Sequence, residues 1–202
     1  MTDGPRALRD PAEVARRRGM LGARHMAPLA DYAAGLRGDG EVPDMDPLDG
    51  GTGARLLFLM EKPGPKTSPA RGGSGFASRD NDDQTAEAAW KALRYAGLAR
   101  KDVLFWNTVP WWNGTIAFTA SERRQGLAEL PRLLDLLPRL EGAVMVGRQA
   151  ERARETLAGR GLRLFASAHP SPQVRAGNHA KWLEIPQRWR EAADALGLGG
   201  AS

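Results

Sequence analysis

Four short apolar runs, at residues 55–60, 103–107, 143–146 and 162–168, are separated by stretches of helical periodicity. Each is brief enough for a strand buried on both faces and too short for a typical helix. The helical patterns between them cover 85–96, 121–140 and 149–158, with a last one at 178–196. Asp82 and Asp83 stand where the first needs an N-cap, and Pro131 and Pro138 interrupt the second. Strand and helix in repetition predict an α/β fold with a parallel sheet, right-handed crossovers and helices on both faces. In such a sheet ligands bind outside the carboxyl ends of the strands, so the loops after residues 60, 107, 146 and 168 are the ones to read for function.

At 202 residues the chain has the length of one such domain, taken here as 55–202. Residues 1–37 form an N-terminal appendage of two short helices, broken near Gly19, Gly22 and Pro28. Residues 38–54 hold Asp39, Glu41, Asp44, Asp46 and Asp49 among glycines and prolines with no base, which reads as a solvated connector. The absence of cysteine excludes disulfides, a thiol nucleophile, cysteine zinc sites and cysteine-ligated iron–sulfur clusters. No run approaches the roughly 18 apolar residues of a membrane span, and no signal peptide is visible, so the expectation is a cytoplasmic protein without membrane contact. The net charge of +5 permits a polyanionic partner without demanding one.

The first loop reads Met60-Glu61-Lys62-Pro63-Gly64-Pro65-Lys66-Thr67-Ser68. It is not a Walker loop, because Pro65 separates Gly64 from Lys66 and position 59 is not glycine. Nor is 72–76 a nucleophile elbow, since Phe76 stands where a glycine is needed, so Ser74 is set aside. The second loop follows Phe105-Trp106-Asn107; Asn107 either locks a turn or offers a donor and an acceptor able to read a base edge. The last loop, Ala168-His169-Pro170-Ser171-Pro172, fixes a histidine at a strand end between restricted prolines, a placement that suits catalysis. His25 and His179 read as surface residues without metal partners, and no metal or other cofactor is expected.

Together the Met-Glu-Lys-Pro-Gly, Phe-Trp-Asn and His-Pro-Ser-Pro segments, in this order across residues 55–177, resemble the uracil-DNA glycosylase superfamily. The resemblance implies a three-layer α/β/α sandwich with a central four-stranded parallel sheet, acting on DNA that carries uracil or another altered base. The enzyme would hydrolyse the N-glycosidic bond of a flipped base in base excision repair, with a monomer as the default state. It further implies that Phe76 stacks on the base, Asn107 hydrogen-bonds its edge, and His169 donates to the base carbonyl as negative charge develops. Pro63, Gly64, Ser68 and Ser171 would grip the phosphates, and Val174 or Arg175 would press into the minor groove.

The chain also departs from the family pattern. Lys62 occupies the position where well-known branches carry Asp or Asn, and Glu61 matches branches whose motif opens with glycine where this chain has Met60. Those branches usually carry a four-cysteine cluster, so this would be a divergent, cluster-free member. A cation at 62 repels a developing positive sugar unless its pKa falls or it points away. Three readings of Lys62 compete: a phosphate contact, with Glu61, Asp80, Asp82 or Asp83 serving the sugar; an amine nucleophile; or lost catalysis. Surface exposure rivals the catalytic reading of Glu61, and packing rivals a DNA role for Trp111 and Trp112. The alternative for the whole chain is a non-catalytic nucleic-acid or nucleotide binding protein on the same fold.

Overall fold

The structure is a computed structural model that describes residues 4–38 and 40–200, leaving Asp39 of the acidic stretch outside the described residues. Two helices come first, α1 (Pro11–Arg18) and α2 (Ala27–Leu36), then the two-residue strand β1 (Asp44–Met45). The α/β unit follows as β2 (Leu56–Met60), β3 (Phe76–Ala77), α3 (Gln84–Tyr95), β4 (Val103–Asn107), α4 (Ala120–Asp135), β5 (Gly142–Val146), α5 (Arg154–Ala158) and β6 (Arg163–Ser167). A further short helix, α6 (Pro172–Gly177), lies in the expected last loop, and the region 178–196, expected as one final helix, holds two, α7 (His179–Leu183) and α8 (Ile185–Ala195).

The fold is the expected three-layer α/β/α sandwich around a four-stranded parallel sheet ordered β4-β2-β5-β6. Alternation along β2 builds both layers, because successive side chains leave opposite faces of a strand. Leu56 and Phe58 pack with Leu93, Phe105 and Trp189 on the face covered by α3 and α8. Leu57 and Leu59 pack with Leu29, Trp106 and Leu133 on the face covered by α2 and α4. The ring of Phe58 stacks on Phe105 with centroids 5.0 Å apart and meets Trp189 at 4.5 Å. Arg163 and Ala166 are exposed, so β6 is a half-covered edge strand and not the doubly buried one expected.

The N-terminal segments differ most from expectation. The α2 residues Leu29, Tyr32, Ala33 and Leu36 join the main core, with Tyr32 5.8 Å from Trp106, so the appendage is packed into the domain. The acidic stretch is not a solvated connector: Asp46 and Asp49 are 0% and 3% exposed, and β1 pairs with β3. Arg17 of α1, itself fully buried, bridges Glu13, Asp46 and Asp80 at 2.7, 2.5 and 2.7 Å. Arg100 reaches the same Asp46 and Asp80 at 2.6 and 2.7 Å. Buried carboxylates demand partners, and here the acids of 38–54 find them in arginines far away in sequence.

Candidate active site

From β2 the chain crosses to β4 on one side and then to β5 on the other, so the order reverses beside β2. Such a switch point leaves a crevice at the carboxyl edge of the sheet. A cleft of ≈ 1250 Å³ opens there, and Glu61, Asn107, Gly147 and His169 all line it, each just after or at the end of a different strand.

Asn107 closes β4 and is 7% exposed, yet among the described residues its amide has no hydrogen-bond partner. The turn it was thought to lock is held by other groups: Thr108 donates to the Met60 carbonyl through its amide at 2.8 Å and through its hydroxyl at 2.9 Å. The residue lines the cleft, where both its donor and its acceptor are available to a ligand.

His169 is half-buried at the opposite side of the cleft. Burial pushes its imidazole below the usual histidine range, against the opposing pull of the Glu61 and Asp83 carboxylates. The ring is therefore neutral at neutral pH, with one N–H to donate. Asp83 lines the cleft while capping α3, where its side chain accepts the Ala86 amide at 2.9 Å.

Glu61 is fixed by a contact that the sequence reading missed. Its Oε1 accepts the Gln149 amide at 2.9 Å and lies against Gly147, where a Cβ would come within 2.6 Å of it. Gly147 also has φ +95°, so both conformation and space call for glycine at this turn. A glycine directly after a buried apolar run was the available sequence signal.

The side chain of Lys62 is 2% exposed, and Nζ donates to Asn113 Oδ1, the Ala117 carbonyl and Glu122 Oε1 at 2.9, 2.9 and 3.0 Å. An ammonium has three protons, and here all are engaged, so Lys62 is neither a phosphate contact nor an amine nucleophile in this arrangement. Lys62 lines the cleft, but its charge is balanced there by the Glu122 carboxylate.

Several assigned residues lie elsewhere. Phe76 is 0% exposed and does not line the cleft, so its ring presents no face to a base. The β1–β3 pairing and two bonds to its backbone hold it: Asn81 Nδ2 donates to its carbonyl at 2.9 Å, and its amide donates to Ser74 Oγ at 3.0 Å. Ser68 is 1% exposed with its hydroxyl unpartnered and away from the cleft, which removes it as a phosphate contact. Pro63, Gly64, Ser171 and Val174 do line the cleft. Ser171 caps α6, its Oγ accepting the Val174 amide at 3.4 Å, while Arg175 instead lies over Trp182 at 5.1 Å. Asp80 is locked among the buried arginines and Asp82 pairs with Arg6 at 3.1 Å, which leaves Glu61 and Asp83 as the acids nearest His169. Trp112 is buried, and Trp111 donates from Nε1 to the Leu36 carbonyl at 2.9 Å; both are structural. His25 is half-buried, with its Nε2 3.0 Å from the Pro47 carbonyl. Among the described residues no group of three or more His, Asp or Glu could hold a metal ion.

The family model described as the Uracil DNA glycosylase superfamily matches residues 48–193, which include every strand-end group of the cleft. The chain belongs to the uracil DNA glycosylase superfamily. Among solved structures it is similar to the solution structure of a candidate uracil DNA glycosylase from Methanosarcina acetivorans, at 16% identity and a TM-score of 0.43. That similarity covers 68% of this chain and 90% of the other. No curated protein matches the chain. In this superfamily member, the first cleft loop offers a glutamate braced by backbone and the second an unpaired amide. No helix among the described residues is long and apolar enough to cross a membrane.

Proposed function

We propose that the chain is a DNA glycosylase that hydrolyses the N-glycosidic bond of a flipped uracil or related base. The reading is carried by the unspent amide of Asn107, which shares one cleft with a neutral His169 and a backbone-braced Glu61. A base held in a duplex cannot reach such groups, so the substrate nucleotide must be extruded or taken from a single strand.

Each group then has a task. Asn107 supplies a donor and an acceptor to the base edge, which separates uracil from cytosine because the two are reversed in hydrogen-bonding sense at ring N3 and at the C4 substituent. As the bond from the sugar C1′ to the base nitrogen breaks, the electron pair goes with the base and collects on its carbonyl oxygen. The neutral imidazole of His169 donates a hydrogen bond there, and in a confined cleft such a donor is worth more than in water. The Glu61 carboxylate faces the cationic sugar and orients the incoming water, which loses a proton as its oxygen bonds to C1′. The products are an abasic sugar and the free base, the base taking up a proton.

The test is release of free base from oligonucleotides carrying uracil, hypoxanthine, xanthine or a mismatched thymine, single- and double-stranded. Release from at least one of them is the expected result. Binding without release from any would select the non-catalytic reading of the same fold.

A further inference from the structure

Three large apolar side chains are more than half exposed among the described residues: Tyr95, Ile116 and Leu183. A lone exposed apolar residue is ordinary on a protein surface. Ile116 differs in its place and its support. It alone of the three lines the cleft, and it is 61% exposed.

The backbone around it is braced. Lys62 donates to Asn113 before it and to the Ala117 carbonyl after it, both at 2.9 Å. The Ala117 amide donates to Thr115 Oγ1 at 3.1 Å, and Asn113 Nδ2 donates to Glu122 Oε1 at 2.9 Å. At its far end the segment enters α4 through a complete capping box of Thr119 and Glu122. A stiff β-branched side chain is thus held out at the cleft rim by a lysine that springs from the same loop as Glu61.

Cations line the same cleft. Arg148 and Lys181 are exposed and form no ion pair among the described residues, while Lys66, 44% exposed, lies 4.0 Å from Asp82. An apolar tip in a cleft that also carries the unpaired cations Arg148 and Lys181 matches a stacked, phosphate-bearing strand, where the tip meets bases and the cations meet phosphates.

We infer that Ile116 enters the space a base vacates when it is extruded, holding the duplex open, and that Lys62 is the strut that positions it. The inference rests on the proposed glycosylase reading for its substrate, though not for its geometry. It moves the wedge from the loop after His169 to the loop before α4. Val174, half-buried on α6, becomes part of the cleft wall.

The experiment compares wild type, Ile116→Ala, Ile116→Leu and Val174→Ala in two assays: uracil excision from matched single- and double-stranded oligonucleotides, and fluorescence of 2-aminopurine placed beside the target base. The loss of buried apolar contact predicts that Ile116→Ala lowers double-strand kcat/KM by roughly tenfold or more. Single-strand excision stays within about twofold, because no gap has to be filled there. Ile116→Leu should restore most of the double-strand rate, and the 2-aminopurine signal on binding should fall in Ile116→Ala. Since Ile116 is exposed, both of its variants should keep the wild-type Tm.

An unchanged double- to single-strand ratio in Ile116→Ala, or a ratio that falls only in Val174→Ala, overturns the inference while leaving a glycosylase in place. Should wild type release no base yet brighten 2-aminopurine in an Ile116-dependent way, the catalytic reading fails and the wedge stands. If wild type neither releases base nor unstacks the probe, both are overturned.

Discussion

The ammonium of Lys62 lies 3.0 Å from the carboxylate of Glu122, so the cation that follows β2 is tied to the cap of α4. Two outcomes are expected. Borohydride treatment of the wild type with DNA should trap no adduct at Lys62, since its amine is fully engaged by Asn113, Ala117 and Glu122. Lys62→Met should lower stability by about 1–2 kcal/mol in denaturant titration, through loss of the charged hydrogen bonds. An adduct that forms in wild type and disappears in Lys62→Met would contradict this placement.

This contact also marks where sequence reading stopped. The buried strands β2, β4 and β5 were legible because a strand covered on both faces is apolar throughout, and the loops after them were legible because a parallel sheet puts its ligand groups there. The direction of Lys62 was not, since its acceptors at 113, 117 and 122 arrive from 51 to 60 positions away. The acidic run failed for a similar reason: charge without a local base looks solvated until Arg17 and Arg100 are folded against it. Phe76 was misread because β1 and β3 are two residues each, too short for any periodic signal, and their pairing is what buries the ring. Ile116 escaped notice as a single apolar residue in a polar loop.

Asn107→Asp tests recognition of the base. The change keeps the shape of the side chain and replaces its NH₂ donor with an acceptor. Preference for uracil over cytosine should fall by about tenfold or more, the worth of one buried polar contact. A preference left unchanged in competition assays would show that Asn107 does not read the base.

Arg17 and its three carboxylates test whether the N-terminal helix is integral. Arg17→Ala leaves Glu13, Asp46 and Asp80 buried with one partner fewer, a change that costs about 3–5 kcal/mol when an internal ion pair is broken. Urea unfolding should show a loss of this size. A loss below about 1 kcal/mol, typical of surface pairs, would mean that α1 is peripheral.

Asp49 predicts a pH dependence of stability. Burial first, and then the negative charges of Asp46 and Asp80, push its carboxyl up to about 7 in the fold, from an ordinary value of 3.8. Arg100 approaches at 3.1 Å, but neither Asp49 oxygen accepts a hydrogen bond. Between these two pH values the folded protein keeps a proton that the unfolded chain releases, so this group's contribution declines as pH rises and levels off above about 7. Asp49→Asn, which cannot ionise, should be more stable than wild type at pH 8, with the gap closing towards pH 4. A gap independent of pH would show that Asp49 titrates normally.

The most direct test of the central claim pairs turnover with affinity in His169→Ala. Wild type and variant are given the same uracil-containing single strand, free uracil is quantified by mass spectrometry, and Kd is measured in parallel. The neutral imidazole acts only as charge develops on the departing base, so base release should fall by about 100-fold or more with Kd within about threefold of wild type. Release unchanged in the variant, or lost only in proportion to weakened binding, would contradict a glycosylase whose leaving group is stabilised by His169.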